Sequence, residues 1–142
     1  MLALDPGFGF GRSTLGRTLM AKQMHPEAIR EYEAVLDQDP GQPRVMAYLA
    51  DAYAISGNRN GAQRILGEMI EQSRRDYFPP LYVAIALTAL NERDQAFQWL
   101  GKALGARDEG LFWLCPKVNP LFDPLRSDPR YAQVLEKMRL AP

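Results

Sequence analysis

Residues 43–91 read PRVMAYLADAYAISGNRNGAQRILGEMIEQSRRDYFPPLYVAIALTALN. Within them Ala62 lies 34 positions after Ala28 and 34 positions before Ala96. Each alanine is preceded, thirteen positions earlier, by a bulky apolar residue and then a small one, and is followed four positions later by another bulky residue. These sets are Leu15, Leu49 and Val83; Gly16, Ala50 and Ala84; and Tyr32, Leu66 and Leu100. Such a period, with apolar residues at helical spacing, predicts a series of helix–turn–helix repeats.

The pattern resembles the tetratricopeptide repeat, whose consensus has Leu-Gly and Tyr in a first helix and Ala, Phe and Ala in a second. The resemblance implies an all-α fold, a right-handed superhelical stack of about three such repeats with a C-terminal capping segment and helix. It divides a single domain of residues 1–142 into repeats at about 9–42, 43–76 and 77–110 and a cap at 111–142. The chain departs from the consensus where Arg12, Met46 and Pro80 replace the family's tryptophan and where Arg74 and Asp108 replace its repeat-ending proline.

Residues 1–8 are interpreted as the remnant of a preceding repeat. Leu4-Asp5-Pro6 resembles the end of a second helix, and Pro6 lies 34 positions before Pro40. A natural start with a short leader is the alternative. Gly7, Gly9 and Gly11 predict a flexible segment before the first helix, since no strand precedes them and no Gly-Lys-Ser/Thr follows, as a phosphate-binding loop would require.

Within the repeats, the sequence makes several predictions about single residues. The first helix is expected from about Gly11 to Lys22, with Leu15 facing inward together with Leu19 and Met20. His25 is expected in the turn that follows it. Asp94 is expected to cap the second helix of repeat three, and Ser127-Asp128-Pro129 is expected to open the last helix.

Composition excludes several classes of function. The 17 basic and 17 acidic side chains give a formal net charge of zero, so a nucleic-acid partner is not expected. His25 and Cys115 are the only residues of their types, which predicts no metal site, no disulfide within the chain and no catalytic dyad. No apolar run approaches the length of a membrane span. A cytoplasmic, non-enzymatic protein without a cofactor is therefore expected.

The resemblance also implies where a partner would bind. Stacked repeats form a concave groove, lined by the first helices, that takes a peptide or a partner helix. Tyr48 and Tyr82 lie at equivalent positions and offer flat contact surfaces, although packing against neighbouring helices is the open alternative. A subclass of the family captures a C-terminal carboxylate, but only Arg17 suits that role here. The predicted groove consists of Ser13, Arg17, Met20, Ala47, Tyr48, Asp51, Leu81, Tyr82 and Ile85.

These observations predict a non-catalytic protein–protein interaction module with an unidentified protein or peptide partner. Residues 121–131 are similar to the tail that follows tetratricopeptide repeats in bacterial multidomain regulators, which implies the C-terminal region of such a protein. The alternative function is structural self-association as a homodimer, through exposed repeat ends or the segment containing Phe8 and Phe10. A groove for a small ligand remains open.

Overall fold

The computed structural model describes residues 6–106 and 120–140. Within these ranges the chain forms seven α-helices and one 3-10 helix, and no strand. Three features of the sequence analysis lie outside the described residues, namely residues 1–5 of the predicted remnant, the apolar residues 111–114 and Cys115. The elements are α1 (Pro6–Ala21), α2 (His25–Gln38), α3 (Pro43–Ile55), α4 (Arg59–Arg75), α5 (Pro80–Ala89), α6 (Arg93–Ala106), the 3-10 helix (Pro120–Leu125) and α7 (Pro129–Leu140).

The first six helices pack as three successive helical hairpins. Helix α1 packs on α2, α3 on α4 and α5 on α6, while α3 also contacts α2 and α5 and so joins the hairpins into one stack. The three alanines that share the repeat spacing are fully buried where paired helices meet, at Ala28, Ala62 and Ala96. The predicted all-α repeat stack is confirmed.

Each hairpin turns through one residue with positive φ, and these residues are 34 positions apart. The φ angles are 61° at Gln23, 92° at Gly57 and 62° at Asn91. The next residue's N–H donates to the carbonyl five residues earlier, which closes the C-terminus of the preceding helix in a Schellman motif. The three bonds run from Met24 to Leu19 (2.8 Å), from Asn58 to Tyr53 (2.8 Å) and from Glu92 to Leu87 (2.9 Å).

The helices begin where a proline occupies the first turn or where a short polar side chain caps the first turn. Pro26, Pro43 and Pro80 lie in first turns, where a missing N–H has no helical partner to lose. The Asn58 side chain accepts a hydrogen bond from the Gly61 N–H at 2.9 Å. The Asn58 cap was not predicted from the sequence.

The last helix begins as predicted. Asp128 Oδ1 accepts a 2.9 Å hydrogen bond from the Arg130 N–H, so it caps α7, which starts at Pro129. The prediction for Asp94 was wrong, because α6 already begins at Arg93 and Asp94 lies inside its first turn. Its carboxylate instead accepts a hydrogen bond from Arg130 Nη1 at 2.8 Å, which links α6 to α7.

Three predictions about the first hairpin were also wrong. The segment of Gly7, Gly9 and Gly11 is helical, since α1 starts at Pro6, and His25 is the first residue of α2 rather than a turn residue. Leu15 does not face inward: 46% of its side chain is exposed. Helix α1 packs chiefly on α2, which leaves the Leu15 side chain in contact with solvent.

Helix α5 is buried on nearly every side. It contacts α3, α4, α6 and the 3-10 helix, and eight of its ten residues are buried. Phe122 and Leu125 of the 3-10 helix are fully buried and belong to the same core. Because α7 packs on α6, the described part of the C-terminal segment covers the third hairpin, as expected of a cap.

Candidate partner-binding cleft

An open cleft of about 450 Å³ lies between the first hairpin, the ends of α3 and α5, and the 3-10 helix. Its volume falls within the roughly 300–1,000 Å³ that is typical of ligand sites. Most of the lining is apolar, and Ile55 exposes 54% of its side chain there. The residues that matter for its chemistry are Arg17, Met20, His25, Asp51, Ile55, Leu121 and Asp123.

The structure brings together three of the nine predicted groove residues. Arg17, Met20 and Asp51 line the cleft, whereas Tyr82 is half-buried and lies outside its lining. The other five are buried, so their side chains do not offer the open surface that the sequence predicted. They are Ser13 (3% exposed), Ala47 (0%), Tyr48 (6%), Leu81 (0%) and Ile85 (1%).

Packing against other segments of the same chain explains this burial. The 3-10 helix packs on α5, which also contacts three other helices and has no open side left for Leu81 and Ile85. Tyr48 packs between the Arg17 guanidinium, 4.7 Å from its ring centre, and the Tyr32 ring at 5.9 Å. For Tyr48, packing against neighbours is therefore the observed role.

The electrostatics of the cleft centre on Asp51. Burial raises the pKa of its carboxyl group from the ordinary value of 3.8 to about 6, and the nearby Arg17 opposes this rise only in part. Burial also raises the pKa of the Tyr32 phenol, with opposing contributions from Arg17 and Asp51. The cleft therefore holds a carboxylate whose charge is incompletely solvated by water and by the protein.

The tetratricopeptide repeat family matches residues 19–79, from the end of α1 to the residue before α5. These residues carry the tetratricopeptide repeat pattern. Comparison with curated proteins and with solved structures gives no match. Tetratricopeptide repeats are protein–protein interaction modules and are typically non-catalytic, which implies protein interaction as the general class of function.

Seven lining residues of the cleft were not predicted, and they are Ala21, His25, Ile55, Ala89, Leu121, Asp123 and Pro124. Ile55 follows Asp51 by four residues, one helical turn, so the periodicity of α3 could have placed both on one face. His25 was assigned to the turn. Leu121 and Asp123 belong to the 3-10 helix, whose approach to the first repeat depends on contacts between residues about 100 positions apart, and no local signal predicts those contacts.

The described part of the repeat array does not show a metal centre. No group of three His, Cys, Asp or Glu side chains within residues 6–106 and 120–140 is arranged to hold a metal ion. Across the same residues, no helix combines the length and apolar character needed to cross a bilayer. The chemistry available in the cleft is thus apolar contact together with the charges of Arg17, Asp51 and Asp123.

Proposed function

We propose that this chain is a non-catalytic interaction module that binds a short segment of a partner protein in the cleft. The observation that carries the proposal is the exposure of Ile55 beside the half-buried Met20, in a concave site rather than on a flat surface. Exposed apolar side chains in a concave site favour a partner, because binding removes their surface from water.

The partner segment is proposed to be short, either an extended peptide or a helix of one or two turns. The 3-10 helix already covers α5, so a long helix lying along Leu81 and Ile85 would have to displace it. A short segment instead contacts Arg17, Met20 and Ile55 without disturbing the core. In this proposal the predicted groove is reduced to the part near the first hairpin and the end of α3.

The cellular setting is proposed from the resemblance of residues 121–131 to bacterial regulator tails. In that setting the chain acts in the cytoplasm as the C-terminal repeat region of a larger regulatory or signalling protein. Its partner segment would then bring a second protein to that regulator.

Selection of peptides from a display library by the immobilised chain tests the proposed function. The substitution Ile55→Ser removes an apolar side chain from the cleft without adding charge, and Leu15→Ser makes the same kind of change at an exposed leucine outside it. We expect selected peptides to bind the wild type and Leu15→Ser equally and to bind Ile55→Ser at least tenfold more weakly. Equal binding to all three chains would place the binding surface elsewhere and overturn the proposal.

A second candidate function, self-association, is favoured by one specific observation. Leu15 is a large apolar residue, 46% exposed, on α1, the first helix that the structure describes. The side chains of Phe8 and Phe10 lie outside the described residues. Sedimentation equilibrium tests this candidate: a dimer that dissociates on Leu15→Glu but not on Ile55→Glu supports it, and a monomer at all concentrations excludes it.

A further inference from the structure

Asp51 has an unusual position for a carboxylate. It lies on α3 one turn before Ile55, half-buried at the cleft. Among the described residues, no donor makes a hydrogen bond to its carboxylate and no cation lies within ion-pair distance of it. A carboxylate that is partly withdrawn from water gains from a hydrogen bond or an ion pair, because either replaces part of the hydration that it has lost.

Arg17 does not act as the missing partner. Its guanidinium lies over the Tyr48 ring, 4.7 Å from the ring centre, and reaches no ion-pair distance to Asp51. Its field favours the ionised carboxylate, yet the effect of burial on the pKa of Asp51 is larger. The protein therefore leaves the Asp51 carboxylate near a positive charge but without an ion pair.

The rest of the cleft suits a long side chain that ends in a positive charge. Met20, Ile55 and Leu121 provide an apolar lining. A second carboxylate, Asp123 of the 3-10 helix, also lines the cleft and accepts a 2.6 Å hydrogen bond from Arg126 Nε. Lysine and arginine combine an apolar stem with a charged head, so the stem would contact the lining while the head reaches a carboxylate.

We propose that the cleft is a subsite for a lysine or arginine side chain of the partner peptide, with Asp51 as the carboxylate that receives its charge. This inference rests on the proposed function. The Arg17 guanidinium is stacked on Tyr48 and Asp123 is paired with Arg126, so Asp51 is the carboxylate left to a partner. A partner carboxylate would be repelled by Asp51, and a purely apolar side chain would cover it without a compensating bond. A basic side chain is the occupant that satisfies both the lining and the charge.

The same peptide selection, followed by a double-mutant cycle, tests the inference. Each selected peptide is compared with a version in which its basic residue is replaced by norleucine, which keeps the stem and removes the charge. The chain is tested as wild type, as Asp51→Asn, and as Asp37→Asn, an exposed aspartate of α2 outside the cleft. Circular dichroism establishes that each variant is folded.

We expect selection to enrich lysine or arginine next to an apolar residue, and the norleucine change to weaken binding to the wild type by about tenfold. The change should have the same effect on Asp37→Asn and almost none on Asp51→Asn. Selected peptides that lack basic residues, or an undiminished effect in Asp51→Asn, would overturn the subsite while leaving the proposed function intact. If no selected peptide distinguishes Ile55→Ser from wild type, the proposed function itself fails.

Discussion

Gly16 of α1 lies directly against the ring of Tyr32 in α2. A Cβ atom at position 16 would stand 2.8 Å from Cζ of that ring, and Tyr32 is only 1% exposed. The first two helices approach each other closely at this point because one of them has no side chain there. Ala50 and Ala84, the equivalent residues of the other repeats, are fully buried.

We expect Gly16→Ala to lower the free energy of unfolding by about 1–3 kcal/mol, because the methyl group would force the Tyr32 ring from its site. This loss outweighs the gain in helix propensity from replacing glycine, which is about 1 kcal/mol. Urea denaturation measures the change. The matched control is Gly67→Ala in α4, where nothing lies within 4 Å of the added atom and stability should rise. Stabilisation by both substitutions would show that the contact with Tyr32 is not tight.

In the hairpin turns, introducing glycine and removing glycine at equivalent positions should have opposite effects on the free energy of unfolding. Gln23 has a φ of 61°, a conformation that glycine adopts without strain. Gln23→Gly should therefore raise the free energy of unfolding by about 0.5–1 kcal/mol, and Gly57→Ala should lower it by at least as much. Thermal denaturation of both variants measures the effects. Asn91→Gly should give a smaller gain than Gln23→Gly, since asparagine tolerates positive φ; a loss at either position would contradict the turn geometry.

Asp51 predicts a specific dependence of stability on pH. Its carboxyl has a higher pKa in the folded chain, about 6, than its ordinary value of 3.8. The folded state thus binds the proton more tightly, and this group's contribution to stability is lost as pH rises from about 4 to above 6. Asp51→Asn should raise the free energy of unfolding by about 1–3 kcal/mol at pH 7.5 and change it little at pH 4.

Denaturation of the wild type and of Asp51→Asn is measured at several pH values across this range. The difference between their free energies of unfolding isolates Asp51, because the other carboxylates titrate in both chains. Asp37→Asn, at an exposed site in α2, serves as the control for loss of one negative charge. A constant difference between wild type and Asp51→Asn from pH 4 to 7.5 would contradict the raised pKa.

Phe122 predicts that the C-terminal segment is part of the repeat core. Its side chain is fully buried in a core that includes α5. Phe122→Ala should lower the free energy of unfolding by about 3–5 kcal/mol within a single cooperative transition. Leu15→Ala, at a residue 46% exposed, should cost far less. A small effect of Phe122→Ala would mean that the 3-10 helix is not integral to the stack.

Much of the fold could be predicted because each repeat encodes its own packing. Ala28 and Tyr32 belong to the 34-residue pattern that predicts the helix pairs, and both are buried. The turn at Gly57 was recognisable from glycine followed by asparagine. The equivalent conformation at Gln23 was not, because glutamine gives no signal of positive φ; only the hydrogen bonds of the neighbouring turn enforce it.

The start of α1 was missed for a related reason. Three glycines between residues 7 and 11 argue against a helix by propensity, yet the helix runs from Pro6 through them. Proline at the first helical position presets φ, and tertiary contacts of α1 with α2 and α3 outweigh the unfavourable local preference. Propensity is a weak guide wherever packing supplies most of the stability of a helix.

The repeat period was sufficient to establish the helix pairs, their small contact residues and their turns, since these depend on neighbours close in the chain. The accessible surface was decided by contacts across the whole chain. By their positions in the repeat, Tyr48 and Ile85 belong to the groove. Arg17 and Tyr32 pack on Tyr48, however, and Ile85 lies within α5, which the 3-10 helix covers. Burial depends on which segments meet in space, and a repeat pattern carries no information about segments outside the repeat.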